Sequence, residues 1–303
     1  MAVADMALPR TAFRTLLSDS SAALRAFQSG GSRFAVVRSI NEHASGAGRP
    51  RTLLVLDSSF NPPSKAHELL ARSALQSVPQ QGHPGPVRLL LLFSTHNADK
   101  APSAASFDQR LALMSVFAED LVSRMRNDQS AAISSPGIDI GLTTEPYYTD
   151  KSAAIAERSD YAAAGAVHVH IMGFDTVTRL FTPKYYPSFD PPLSALNPYF
   201  DAGHLLRVTI RPSDDYGSVE EQRSFLAGLG EGKLECDGGK RDWARQITIV
   251  EAGDGEGVSS TRVRQAAKGH RWGELADLCT PGIAETVRTE AIYASDDRGS
   301  KMA

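Results

Sequence analysis

Five short apolar runs set the frame for this chain of 303 residues. Leu53 to Leu56, Val87 to Phe93, Val167 to Met172, Leu205 to Ile210 and Ile247 to Val250 each have strand length and are mostly apolar. Such runs read as strands buried on both faces. Helical patterns separate them at Ala66 to Gln76, Phe107 to Arg126, Thr149 to Arg158 and Val219 to Leu229, and Ser260 to Lys268 follows the last run. Strand and helix in alternation predict an α/β fold, a doubly wound parallel sheet with helices on both sides.

The flanks are of different character. Thr11 to Phe27 carries apolar residues at amphipathic-helix spacing, closed by Gly30 and Gly31, and Asn41 to Arg51 is rich in Gly, Ser and charge. Residues 1–50 therefore read as an N-terminal helical extension and loop, and residues 51–303 as the main domain with its C-terminal helices. Pro183 to Gly203, with Pro187, Pro191, Pro192 and Pro198 among aromatic residues, reads as a packed surface excursion.

Composition chiefly excludes. The 32 basic and 35 acidic side chains leave a formal net charge of -3, without the basic excess of a protein that neutralises many phosphates, so no nucleic-acid partner is expected. Cys236 and Cys279 are the only cysteines, too few for a disulfide framework and not a C-x-x-C pair. Asp5, Arg10, Arg14, Asp19 and Arg25 interrupt any signal-peptide core, and no run approaches the roughly 20 apolar residues of a membrane span. An intracellular chain, cytoplasmic or nuclear and free of membrane, is expected. Oligomeric state is not legible.

The first candidate site lies where Leu53 to Leu56 runs into Asp57-Ser58-Ser59-Phe60-Asn61-Pro62-Pro63-Ser64-Lys65-Ala66-His67. Ligands of open α/β sheets bind beyond the carboxyl ends of strands, where the next helix presents free N–H groups and its positive end to phosphate. Tandem prolines stiffen the loop, and His67 falls in the first helical turn. By itself this is also what an ordinary turn needs, with Ser64 as N-cap and a surface histidine. The second lies after Ile247 to Val250, where glycines lead into Val258-Ser259-Ser260-Thr261-Arg262-Val263-Arg264. Ser259 or Ser260 suits an N-cap, and Arg262 and Arg264, two apart, cannot share one helical face. A capped surface helix with solvated arginines is the plain alternative.

Together the two strings resemble the motifs of the HxGH nucleotidyltransferase superfamily, and most of all the nicotinamide mononucleotide adenylyltransferase family. Ser58 to His67 is similar to its F-N-P-x-T-x-x-H form, with Ser64 where the family has Thr or His and Ala66 where it has Gly or Met. Val258 to Arg264 is similar to I-S-S-T-x-I-R. Phe174 to Tyr186 is similar to a fungal branch of the same family. The resemblance implies a Rossmann-like nucleotidyltransferase fold and adenylyl transfer from ATP, carried with Mg2+, to nicotinamide mononucleotide. It implies His67 and Arg264 as catalytic residues, and an ATP site of Ser58, Ser59, Phe60, Ser64, His67, Gly173, Asp175, Ser259, Ser260, Thr261 and Arg264.

For the mononucleotide it implies Ser59, Phe60 and Asn61, with Lys100 in a loop that could neutralise phosphate and Tyr147 in a Tyr pair that could face the nicotinamide ring. Asp175 follows a buried strand and a Gly turn and could accept ribose hydroxyls. His168 and His170 read as packing residues, since no third ligand stands at zinc-like spacing, and no protein metal site is expected. Nicotinic acid mononucleotide, phosphopantetheine or a phosphorylated alcohol with CTP remain possible substrates, and a nucleotide-binding regulatory protein with weak ATPase activity is the alternative outside transfer.

Overall fold

The structure, a computed structural model, describes residues 10–42, 49–95, 105–129, 131, 133–158, 161, 165–210, 217–252 and 257–294. In chain order it runs α1 (Arg10–Ser29), β1 (Phe34–Ile40), β2 (Thr52–Asp57), α2 (Lys65–Ser77), β3 (Val87–Ser94), α3 (Phe107–Asn127), β4 (Gly137–Thr143), α4 (Tyr148–Ala156) and β5 (Val167–Gly173). It continues with α5 (Phe174–Leu180), α6 (Asn197–Asp201), β6 (Leu205–Ile210), α7 (Val219–Gly230), β7 (Ile247–Glu251), α8 (Ser260–Lys268), α9 (Trp272–Leu278) and α10 (Pro281–Thr289).

One seven-stranded sheet has the order β1-β4-β3-β2-β5-β6-β7. Every neighbouring pair is parallel except the antiparallel β1 and β4. This is the doubly wound α/β class that the five runs predict. The chain steps outward from β2 through β3 to β4, then returns to β5 and steps the other way. The topological switch therefore falls between β2 and β5, where the loops at their carboxyl ends diverge and leave a crevice.

Burial on both sides explains the continuous apolar strands. Leu54, Leu56, Leu89, Leu91, Val169 and Ile171 pack with residues of α1, α2, α3, α8 and α10, while Leu53, Val55, Leu90 and Leu92 pack on Ala154 and Ile155 of α4. Leu206, Val208 and Ile210 join a cluster with Val177, Leu226 and Trp243, and the Pro-rich excursion packs Leu193, Leu196, Tyr199 and Phe200 into it.

Two strands escaped the sequence reading. β4 has no apolar run because its sequence, GIDIGLT, meets special neighbours. Gly141 lies where a Cβ would come within 2.7 Å of Phe34 Cε2 and 2.9 Å of Leu90 Cδ1. Asp139 is buried but receives Arg88 Nε at 2.8 Å, the Tyr161 hydroxyl at 2.6 Å and Ser39 Oγ at 2.7 Å. β1 lies at the sheet edge and is only half-buried. With α1 packed on α3, the N-terminal segment expected as an appendage contributes a strand and a helix to the same sheet and core.

The buried histidines set an acid limit on the fold. The His168 and His204 rings stack 4.2 Å apart, and His204 Nδ1 accepts the His168 backbone N–H at 3.2 Å, which requires an unprotonated nitrogen. Burial pushes His168 down to about 3 and His204 to about 4, and it holds His170, whose Nε2 meets Ser152 Oγ, well below its usual range. With folded values below the usual 6.5, the unfolded chain binds more protons, so stability is retained above 6.5 and lost as pH falls toward 4. Between pH 6.5 and 5 each buried histidine costs on the order of 1–2 kcal/mol. Urea unfolding at the two pH values checks this, and an unchanged midpoint refutes it.

Candidate active site

The loop from Ser58 to Ser64 leaves β2 at the switch point, and the protein holds its carbonyls one after another. Arg110 Nη1 donates to the Ser59 carbonyl at 3.4 Å, Arg264 Nη1 to that of Asn61 at 2.8 Å, and Ser260 Oγ to that of Pro62 at 2.8 Å. The Cys279 thiol reaches the Pro63 carbonyl at 3.8 Å. Three of these four donors come from the far end of the chain, so the second motif meets the first directly.

Two expected ligand contacts are corrected. Phe60 is 0% exposed, with φ at 42°, a left-handed conformation unusual for a bulky residue. Its ring packs 5.1 Å from the His67 ring and 6.5 Å from Phe117. Phe60 therefore supports the site from beneath and offers no surface to either nucleotide. Ser64 is also 0% exposed and serves as N-cap of α2, turned to His67 instead of to a ligand.

That cap fixes the state of the partly buried His67. The Ser64 backbone N–H donates to His67 Nδ1 at 3.1 Å, and Ser64 Oγ lies 3.0 Å from the same nitrogen. Nδ1 is thus an acceptor, the proton sits on Nε2, and Nε2 points to Ser58 Oγ at 2.9 Å. Burial holds the imidazole down to about 4. At neutral pH His67 is an uncharged donor aimed from the first turn of α2, where the helix also presents its positive end.

α8 supplies a second helix start. Ser259 is its N-cap and accepts the Arg262 N–H at 3.2 Å. The two arginines diverge as their spacing requires: Arg264 turns to Asn61 and to Thr261 Oγ1 at 3.2 Å, while exposed Arg262 binds the Gly257 carbonyl at 2.7 Å and Glu274 at 3.3 Å.

Beside the loop lies a cleft of about 790 Å³, lined by Ser58, His67, Gly173 and Asp175 among others. Gly173 is the N-cap of α5, and a Cβ there would come within 2.7 Å of Asp175 Oδ1, so glycine lets the carboxylate of Asp175 turn back over the strand end. Ser59, Asn61, Ser259, Ser260, Thr261 and Arg264 do not line this cleft; Ser260 and Arg264 reach the loop through the bonds given above. Tyr147 is 44% exposed and lies 5.9 Å, centroid to centroid, from Tyr186. Lys100 falls outside the described residues.

Sequence reasoning missed several neighbours. Asp57, on the cleft wall, is bound by Lys151 of α4 in a buried ion pair. Arg72 and Arg179 add cations to the cleft, Arg72 paired with Asp128 at 2.8 Å and Arg179 lying 3.7 Å from Asp175. Arg110 is 5% exposed, with its guanidinium over the rings of Phe93 and Phe107 at 5.3 and 4.9 Å. A charged residue on the core side of the apolar α3 pattern was the available signal. No group of three or more acidic, His or Cys side chains suited to a metal occurs among the described residues, and no helix among them is long and apolar enough to cross a membrane.

Two helix starts, an arginine and an imidazole donor meet around one loop at a switch point, an arrangement of donors that suits an anionic group. No family model matches the chain. It is 28% identical over 216 residues, covering 71% of this chain and 76% of the relative, to a Schizosaccharomyces pombe protein described as "Putative nicotinamide mononucleotide adenylyltransferase". Two solved structures of Plasmodium falciparum nicotinic acid mononucleotide adenylyltransferase, complexed with NaAD and with APC, align with 81% of this chain and 98% of theirs. Their TM-scores are 0.49 and 0.48, at 11% and 12% identity.

The protonation state of His67 is directly measurable. Nitrogen-15 NMR of the free chain should show the Nε2–H tautomer at pH 7 and a titration midpoint near 4. A midpoint near 6.5, or the proton on Nδ1, would contradict the cap geometry.

Proposed function

We propose that the chain transfers the adenylyl group of ATP to nicotinamide mononucleotide, forming NAD and pyrophosphate, and that it belongs with the fungal branch of such enzymes. The observation that carries this reading is the meeting of the α2 and α8 starts around the Ser58 to Ser64 loop, with His67 on one side and Arg264 on the other. The similarity to the fission-yeast protein supports both the reaction and the branch.

In this reaction an oxygen of the mononucleotide 5′-phosphate attacks the α-phosphorus of ATP. A P–O bond forms there as the bond to the β-phosphate bridge breaks, and the electron pair leaves with pyrophosphate. The attacking oxygen is already ionised at neutral pH, so no protein base or nucleophile is required. Catalysis rests on alignment and on stabilising charge at the moving group. His67 donates Nε2–H to a phosphate oxygen in place of Ser58, and Arg264 supplies the fixed cation. The N–H groups at the α2 and α8 starts complete the cradle.

On the cleft side, Asp175 accepts ribose hydroxyls of ATP, with Gly173 letting the nucleotide approach. Ser58, Ser59 and Ser259 to Thr261 contact its phosphates. The acceptor lies toward Ser59 and Asn61, with its ring against Tyr147, for which Tyr186 is the natural second wall. Mg2+ fits as an ion that arrives on the phosphates and keeps several waters, because Asp57 of the cleft wall is already engaged by Lys151 and no protein cage is needed. When bound it neutralises charge on the departing pyrophosphate.

Purified chain with ATP, Mg2+ and nicotinamide mononucleotide should yield equal amounts of NAD and pyrophosphate by chromatography. His67→Ala and Arg264→Ala should each lower kcat by about 10²–10³. Unchanged turnover in both variants would falsify the site. Nicotinic acid mononucleotide and phosphopantetheine in the same panel test the acceptor; a preferred product from either replaces nicotinamide mononucleotide in the reading. ATP hydrolysis without transfer to any acceptor supports a regulatory protein instead.

Gly173→Ala offers a separate test of the cleft. The added methyl displaces Asp175, so KM for ATP should rise several-fold while KM for the mononucleotide holds. Equal changes in both would remove Asp175 from the ATP side.

A further inference from the structure

We infer that Lys151, from α4 and outside both motifs, neutralises the carboxylate that the end of β2 places on the cleft wall, so that the cleft accepts a polyphosphate. Lys151 is not part of that wall and acts through Asp57. This rests on the adenylyl-transfer reading, in which the polyphosphate is that of ATP.

Three carboxylates line the cleft, those of Asp57, Asp175 and Glu251, against the two guanidinium groups of Arg72 and Arg179. Each carboxylate has a cation beside it. Arg179 lies 3.7 Å from Asp175 and Arg223 lies 2.5 Å from Glu251, and both pairs are exposed. Water and salt screen charges of that kind, so those pairs matter little to a ligand. The pair at the end of β2 differs, with the Lys151 side chain 6% and that of Asp57 10% exposed. So little water leaves the charge of Asp57 poorly screened, and a fixed cation must offset it.

The place of this charge makes it matter. Asp57 immediately precedes Ser58, whose Oγ lies 2.9 Å from Nε2 of His67, and all three residues line the cleft. An uncompensated carboxylate there would oppose the phosphate to which His67 donates. The surroundings of Lys151 commit it to this one partner. Its ammonium group lies 5.1 Å from the centre of the Tyr148 ring, and that ring meets His170 edge-on at 5.1 Å. Tyr148 and His170 are both held neutral, chiefly by burial. No other carboxylate pairs with Lys151 among the described residues.

Equilibrium binding of ATP to the full chain tests this by the sign of the effect. A pair that is only structural is broken by removing either partner, so both single variants would weaken binding alike. Compensation of charge predicts opposite outcomes. Lys151→Met leaves Asp57 unpaired and should raise Kd for ATP about ten- to hundredfold. Asp57→Asn leaves the cation, and should keep Kd for ATP or lower it by up to about fivefold. The double variant should fall between the two. Adenosine, which has the base and ribose but no charge, should bind every variant within about twofold of the native chain.

Weaker ATP binding in Asp57→Asn overturns the proposal, and so does a loss for adenosine that matches the loss for ATP. Where Lys151→Met does not fold, Asp57→Asn and the double variant decide by the same comparison, since neither buries an unpaired carboxylate. Equal losses of ATP binding in both single variants of a chain that forms NAD remove the role of Lys151 alone. Opposite signs in a chain that binds ATP but transfers it to no acceptor remove the adenylyl-transfer reading alone.

Discussion

Two hydrogen bonds that join distant parts of the chain, Ser260 to the Pro62 carbonyl and Arg264 to the Asn61 carbonyl, hold the candidate site together. The first helix start comes from the central strand and the second from beyond the edge strand β7. Neither is more than a capped turn in isolation. Because the sheet is covered on both faces, α8 to α10 can return over the side that carries α2 and α3 and place their donors against the loop. The site depends on that return, and so does the rigidity of a loop whose carbonyls are occupied in succession.

The same arrangement separates charge from donor capacity. His67 is uncharged at neutral pH because burial disfavours the imidazolium and because its Nδ1 is committed to Ser64. The fixed positive charge resides instead on Arg264 and on Arg110 behind the loop, with Arg110 shielded by aromatic faces rather than by a carboxylate. At position 64 the side chain caps a helix and steadies a ring, and a hydroxyl is enough for that.

Much of this was legible in the sequence, for reasons that can be stated residue by residue. The five apolar runs reveal parallel strands because both of their faces are buried, and the strings around His67 and Arg264 stand out because loop, cap and charge fall in fixed order. β4 stayed hidden because Asp139 and Gly141 answer to Arg88, Phe34 and Leu90, partners that only the fold supplies. The motif implies a ligand contact at Phe60, whose side chain is buried, because a motif position does not disclose whether its side chain points to the ligand or the core. Arg110 and Lys151 were missed because each acts across a tertiary contact, with nothing local to mark it.

The antiparallel pairing of β1 with β4 has a consequence for how the chain divides. Phe34 to Ile40 occupies the hydrogen-bonding edge of β4, and the Arg33 carbonyl receives both Thr143 Oγ1 and the Thr144 N–H at the strand's end. A chain shortened to begin at residue 51 would present that edge bare, with unpaired N–H and C=O groups in a row and the seat of Phe34 open beside it. Bare edges of this kind recruit other strands. Residues 34–40 thus cover the edge of β4 and leave the shorter, half-buried β1 as the border of the sheet, and a boundary drawn by composition at the Gly-rich loop would fall between strands of one sheet.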